Sequence, residues 1–107
     1  MVNKVYGLLG ISSKAGKLIS GTDALIDAIL KRQIKLVIVA EDASERTIKN
    51  FKDICYKNNI KFIIYGNILE NSKAIGKQNR AVLGIKDVNL ARAIDKVIHG
   101  GEGFGEN

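Results

Sequence analysis

The residues able to do chemistry in this chain are few, and their spacing argues against most reactions. The single cysteine, Cys55, falls four residues after Phe51 on the apolar side of a helical pattern, so it reads as core rather than nucleophile. The single histidine, His99, falls near the end of the last amphipathic run and reads as a solvated helix-end residue. Glu41 and Asp42 follow an apolar run, where α/β active sites gather, but the sequence places no histidine or second carboxylate pair beside them. Capping of the next helix is the better role for that pair, with Ser44 or Asp42 as the N-cap. Residues Gly10 to Lys17 have the outline of a phosphate-binding loop. However, five residues separate the glycines where four are needed, and Leu18 stands where a Ser or Thr would meet magnesium. The glycines after residue 99 do not lie between a strand and a helix, which rejects a dinucleotide fingerprint. One cysteine excludes an internal disulfide, and one histidine beside it is too little for a structural zinc site. No catalytic set, cofactor site or metal site is expected.

Charge is the remaining signal. Seventeen Lys and Arg face eleven Asp and Glu, a net +6 with pI near 9.6. Residues 1–35 and 61–80 hold the excess, while 36–60 balance and 81–107 are slightly acidic, so two basic blocks could be joined by the fold. A basic face attracts phosphate backbones and releases counterions when it binds them. The same charge could equally serve solubility. Lys14 and Lys17 precede Gly21, whose lack of a side chain lets a backbone approach the start of a helix closely. Free N–H groups at a helix start favour phosphate. Lys77 to Arg80 form a second basic stretch.

The elements that must position these residues can be read from periodicity and stop signals. Ser20-Gly21-Thr22-Asp23 offers small and capping residues before an apolar stripe of Leu25, Ala28 and Ile29, widened by Ile26 and Leu30. Lys31 and Arg32 fall in the last turn, where they complement the carbonyl end of the dipole. Leu36 to Ala40 is apolar without alternation, as expected of a strand covered on both faces. The same reasoning predicts a first helix over 2–12, a turn at 12–16, a short extended stretch at 17–20, and a helix from about 44 to 58. A buried strand follows at 61–65, then a short helix to 75, a basic loop at 76–80, and a strand at 81–85. A last helix begins at Asp87 with Leu90, Ala91, Ile94, Val97 and Ile98 on its core side. Strands between helices predict a three-layer α/β/α sandwich with a small mixed sheet, mostly parallel, the first strand being the one free to run the other way. One domain over 1–99 and a flexible Gly-rich tail over 100–107 are expected. No apolar run approaches the ~20 residues of a membrane helix. The N-terminus has no signal-peptide pattern, so a cytoplasmic location is expected.

Three stretches carry a family resemblance: Lys-Ala-Gly-Lys-Leu-Ile-Ser-Gly at 14–21, Leu-Val-Ile-Val-Ala-Glu-Asp-Ala-Ser at 36–44, and Ala-Ile-Gly-Lys at 74–77. In order and spacing they resemble the kink-turn-binding ribosomal proteins of the L-seven-Ae type, and most closely the small bacterial YlxQ-type branch, over about 90 residues from Leu8 to Ile98. The resemblance implies a non-enzymatic α/β/α protein that binds sharply bent RNA, ribosomal or ribosome-associated. On a different reading, the same scaffold would serve as a protein-interaction or assembly module without specific RNA readout.

The family's Gly-x-Asn-Glu helix start falls on Gly21, Thr22, Asp23 and Ala24, and Asp27 stands where a Lys is typical. Asp23 can accept from a base amino group but cannot donate as an amide does. The resemblance therefore implies weaker base readout and more reliance on shape and phosphate contact. It implies RNA contacts from Lys14, Lys17, Lys31, Lys77 and Arg80. It also implies apolar surface from Ile48 on the third helix and from Ala81 and Val82 in the second contact loop. Asn71-Ser72 replaces the family's Leu-Gly, so a different packing of the short helix is expected there.

Overall fold

The computed structural model describes residues 3–103, with side chains through residue 100. Helix α1 (Lys4–Lys14) starts at Asn3, whose side chain accepts the Tyr6 N–H at 3.0 Å. It runs two residues further than the spacing suggests, because Ser12 is buried and bonds the Leu8 carbonyl at 2.7 Å instead of breaking the helix. Strand β1 (Leu18–Ser20) leads through Gly21 into α2 (Thr22–Leu30), and β2 (Leu36–Val39) into α3 (Glu45–Lys57). Strand β3 (Lys61–Ile64), the short α4 (Ile68–Ala74), β4 (Val82–Ile85) and α5 (Val88–Gly103) complete the chain. Helix α5 enters the segment expected to be a flexible tail; the rest of that expectation, 104–107, lies outside the described residues.

The sheet is mixed, in the order β1-β4-β2-β3. Only β2 and β3 pair in parallel; β4 is antiparallel to both β2 and β1. The expectation of a mostly parallel sheet is therefore corrected, and so is the identity of the reversed strand, which is β4 and not β1. A parallel return needs the crossover to carry the chain back along the full sheet. Here α4 stays where β3 ends: Asp42, just after β2, accepts the Ile68 N–H at 2.8 Å, and β4 begins with Val82 opposite Val39. The chain never goes back, so β4 runs the other way.

Alternation along β2 sorts the core into two halves. Leu36 and Ile38 join Val5, Leu9, Leu83, Ile85, Ala91 and Ile94 under α1 and α5. Val37 and Val39 join Leu25, Ala28, Ile29, Phe51 and Cys55 under α2 and α3. That is the expected three-layer sandwich. Each fully buried Leu or Ile contributes roughly 1.5–3 kcal/mol through removal of apolar surface from water. Gly84 lets α2 lie close on β4: a Cβ there would run into Leu25 and sit 3.1 Å from Ile34 Cδ1. Three expected core placements fail, one of them Val97 on α5, which is 40% exposed. Leu30 is 67% exposed, on the outer side of the last turn of α2, whose Ala28 and Ile29 are the buried residues. Strand β3 is an edge strand, so Ile63 is buried while Lys61 and Ile64 face solvent.

The reversal of β4 defines two opposite borders of the sheet. At the strand-end edge, β1, β2 and β3 finish, β4 begins, and α2, α3 and α4 start. At the strand-start edge, the same three strands begin, β4 finishes, and α2 and α3 stop.

Candidate nucleic-acid interface

Among the described residues, four of the five helices begin with a side-chain cap. Asn3 caps α1, Ser44 accepts the Thr47 N–H at 3.1 Å for α3, Asn67 accepts that of Glu70 at 2.7 Å for α4, and Asp87 accepts that of Leu90 at 2.9 Å for α5. Helix α2 differs. Its N-cap is Gly21, at φ 98° and ψ 147°, with no side-chain bond, which corrects the expectation that Ser20, Thr22 or Asp23 would cap it. The Gly21 N–H is taken by the Val82 carbonyl at 3.2 Å, and the first helical bond runs from Leu25 N–H to the Gly21 carbonyl at 3.0 Å. The N–H groups of Thr22, Asp23 and Ala24 lie between these, on three exposed residues, and point out of the positive end of the helix.

A second segment is pinned beside them. Ser72, buried on α4, accepts the Arg80 N–H at 2.7 Å and donates to the Arg80 carbonyl at 3.4 Å. The Arg80 side chain then reaches across, with Nε donating to Ser20 Oγ at 3.1 Å and Nη1 to the Gln78 carbonyl at 3.2 Å. Ala40 N–H bonds the Ala81 carbonyl at 3.0 Å. Thus residues 76–82 and the Gly21 turn, far apart in sequence, form one continuous rim. Asn71 and Ser72 explain their own presence: Asn71 Nδ2 holds the Tyr65 carbonyl at 2.9 Å, and Ser72 holds the loop, where Leu and Gly could do neither. Asn79 turns the loop at φ 57°, a left-handed conformation that asparagine tolerates better than most residues.

The expected site residues divide by position. Gly21, Thr22, Asp23, Ala24, Lys77, Arg80, Ala81 and the half-buried Ile48 at the start of α3 all lie at the strand-end edge. Val82 is there too, but it is fully buried, so its assignment as contact surface is corrected: what it supplies is the carbonyl that holds Gly21. Lys17 and Lys31 are elsewhere. The Lys17 carbonyl bonds the Lys86 N–H at the other end of β1, and Lys31 follows the last residue of α2. Lys14 closes α1, before the turn that leads to Lys17. Asp27 does not stand alone against an incoming phosphate, since Lys31 Nζ lies 3.0 Å from it on an exposed helix face. Sequence reasoning missed Leu69, which is 72% exposed and, with Ser72, Lys73, Lys77, Gln78 and Asn79, lines a groove of about 480 Å³ beside the loop. An exposed Leu in a seven-residue helix leaves no periodic signal.

Burial pushes the Cys55 thiol up to about 11, which keeps it protonated and inert near neutral pH. His99 Nδ1 lies 2.7 Å from Asp95 on α5. Among the described residues no helix is long and apolar enough to cross a membrane, and no His, Cys, Asp and Glu group is placed to hold a metal.

Comparison with known proteins agrees with this architecture. Residues 3–95 match the family described as ribosomal protein L7Ae/L30e/S12e/Gadd45. A curated protein of Bacillus subtilis (strain 168) named RNA-binding protein YlxQ is 35% identical over 91 residues, covering 83% of this chain and 89% of that one. Its namesake in Enterococcus faecium is 36% identical over 97 residues, covering 91% and 93%. A solved structure of a protein with unknown function from Bacillus halodurans C superposes with a TM-score of 0.86 at 34% identity, over 89% of this chain and 96% of that one. The Giardia lamblia 15.5kD RNA binding protein shares the fold at a TM-score of 0.74 and 14% identity, over 94% and 89%. With residues 3–95 matched and two curated relatives at 35% and 36% identity over most of both chains, the chain belongs to the ribosomal protein L7Ae/L30e/S12e/Gadd45 family.

Proposed function

We propose that this protein is a non-enzymatic, cytoplasmic RNA-binding protein that recognises a kink-turn or a similarly bent RNA, ribosomal or ribosome-associated. The observation that carries the reading is the uncapped start of α2, with the Arg80-anchored loop fixed against it. The three free N–H groups at Thr22, Asp23 and Ala24 would take acceptors from phosphate or base edges, which the other helix starts give to their own caps. Asp23 would accept from exposed base amino groups. Lys77 supplies a mobile positive charge for phosphate, and the groove beside Leu69 offers an apolar wall for an unstacked base. Family membership and the printed names of the two curated relatives support the same reading.

A kink-turn RNA and a plain duplex of equal length, each titrated at ~0.1 M salt, test it. Preferential binding of the bent RNA is expected, and equal affinity for both would end the specific claim. Arg80→Ala should weaken binding and lower the salt slope by about 0.7–0.9, the effect of one lost phosphate contact. An unchanged slope would leave Arg80 only as the strut between Ser20 and Gln78.

A further inference from the structure

The strand-end edge is not where the positive charge of this protein lies. There Arg46, Lys73, Lys77 and Arg80 are offset by Asp23, Glu41, Asp42, Glu45 and Glu70. The opposite, strand-start edge gathers Lys17, Arg32, Lys35, Lys57, Lys61 and Lys86, with Asp87 and Asp95 as the carboxylates nearby. Asp87 is engaged in capping α5, and Asp95 is shared between Lys61 at 3.8 Å and His99 at 2.7 Å. Among the described residues no carboxylate lies within ion-pair distance of Lys17, Arg32, Lys35, Lys57 or Lys86.

The topology makes this a row. Lys17 precedes β1, Lys86 follows β4, Lys35 precedes β2 and Lys61 opens β3, so four ammonium groups flank four neighbouring strands in spatial order. Adjacent strands lie roughly 4.8 Å apart, and the row therefore spans about 14 Å. Under it, the last turns of α2 and α3 enclose a cleft of about 350 Å³, lined by Arg32, Lys35, Lys57 and Asn58 over a floor of Ile29 and Ile34. Arg32 and Lys57 could be explained as partners of helix carbonyl ends. Lys86, Lys35 and Lys61 could not, because no helix stops at them, whereas Lys17 lies in the turn that ends α1, with its N–H on the Ser12 carbonyl. Arg32 is also costly where it stands. It holds the left-handed position of a helix stop, φ 61°, with its N–H on the Ile29 carbonyl and that of Gln33 on the Ala28 carbonyl, a place glycine fills with less strain.

We propose that the strand-start edge is a second RNA contact surface, gripping the phosphate backbone of a regular duplex while the α2 edge reads the bend. This rests on the RNA-binding reading above. Lysines in a row, unpaired except for Lys61 on Asp95, suit phosphates, which take point charges without fixed geometry, and suit a protein partner poorly, since lysine is depleted from protein interfaces.

The test uses the full chain and two probes, a plain RNA duplex of about 16 base pairs and a kink-turn RNA of equal length. The triple substitution Lys35→Gln, Lys57→Gln, Lys86→Gln should weaken plain-duplex binding at least about tenfold at low salt and lower the salt slope by about 2. It should also raise the preference for the bent RNA over the duplex. Arg32→Gly should lower duplex affinity while leaving Tm equal or higher, which separates lost contact from lost folding. The corresponding Lys→Arg triple should retain duplex binding. If the wild type shows no preference for the bent RNA and the Gln triple still loses duplex binding, the kink-turn reading fails and this surface stands. If the Gln triple and Arg32→Gly both bind duplex RNA with wild-type affinity and salt slope, the surface is not an RNA contact.

Discussion

The two borders of the sheet are built by opposite means. The strand-end edge is organised by geometry: a buried serine holding a loop, an arginine bonded across 60 residues, and a glycine N-cap in a conformation other residues avoid. Its net charge is small. The strand-start edge is organised by charge: exposed cations on ordinary helix stops and strand ends, few of them bonded to anything. Geometry of the first kind can distinguish one shape from another, but it is brittle, because each piece depends on a buried partner. Charge of the second kind gives attraction without discrimination and tolerates substitution. The proposed division of labour, shape at one edge and backbone at the other, follows from that difference.

Substitutions can break or sharpen this contrast. Leu25→Ala should have the largest effect, about 2–5 kcal/mol of lost stability, because it empties a fully buried site under α2. Since α2 runs between the two edges, both bound RNAs should be lost together, and urea unfolding checks the cost. Ser72→Ala should cost about 1–3 kcal/mol by leaving the Arg80 N–H without its partner. Here the edges should part company, with bent-RNA preference falling while plain-duplex affinity holds. Equal losses on both RNAs would mean that the two edges are not independent.

A third effect depends on pH. The thiol of Cys55 is raised from 9.0 to about 11 by burial, so the folded state favours the neutral form. Below pH 9.0 both states keep the proton and stability is complete. Between pH 9.0 and about 11 the unfolded chain loses it first, so stability declines as pH rises. The decline should be absent from Cys55→Ala when the two Tm-against-pH curves are subtracted. The Cys55 carbonyl holds the Ile60 N–H at 2.9 Å, so faster exchange of that amide should report the loosening at the strand-start side. The smallest effect is that of Arg32→Gly, a gain of about 0.5–1 kcal/mol from relief of the left-handed strain, less whatever the lost charge gave the α2 terminus. A clear loss of stability would show that Arg32 is kept for the fold and not for its exposed charge.

Much of this was legible beforehand. Periodicity and stop residues place every helix and strand, because the 3.6-residue and short apolar patterns are local signals. The direction of β4 was not legible: an apolar run reads the same whichever way the strand lies, and only the placement of α4 decides it. The Gly21 turn was found as a candidate from its glycine and from the family pattern. The partnership of Arg80 with Ser20 depends on the same reversal and so could not be read from neighbouring residues, whereas the apolar run at 81–85 already pointed to a buried Val82. Charge counted in sequence blocks pointed to residues 1–35 and 61–80. In space the cations sort by strand end, because turns at the strand-start edge recur in every block.

The place of β4 in the sheet also sets an order of events. Among the described residues, the last strand in sequence is the one that joins β1 to β2, and β1 has no other strand partner. A growing chain that has not yet reached Val82 can pair only β2 with β3, leaving β1 and the Gly21 turn without a neighbour to close on. Long-range pairing of this kind is slow, since the intervening loop must close before any contact offsets its entropy. The rim at Gly21 would therefore be absent from every earlier nascent species and would form in one step when β4 inserts. Any contact that depends on that rim waits for the last strand to be in place.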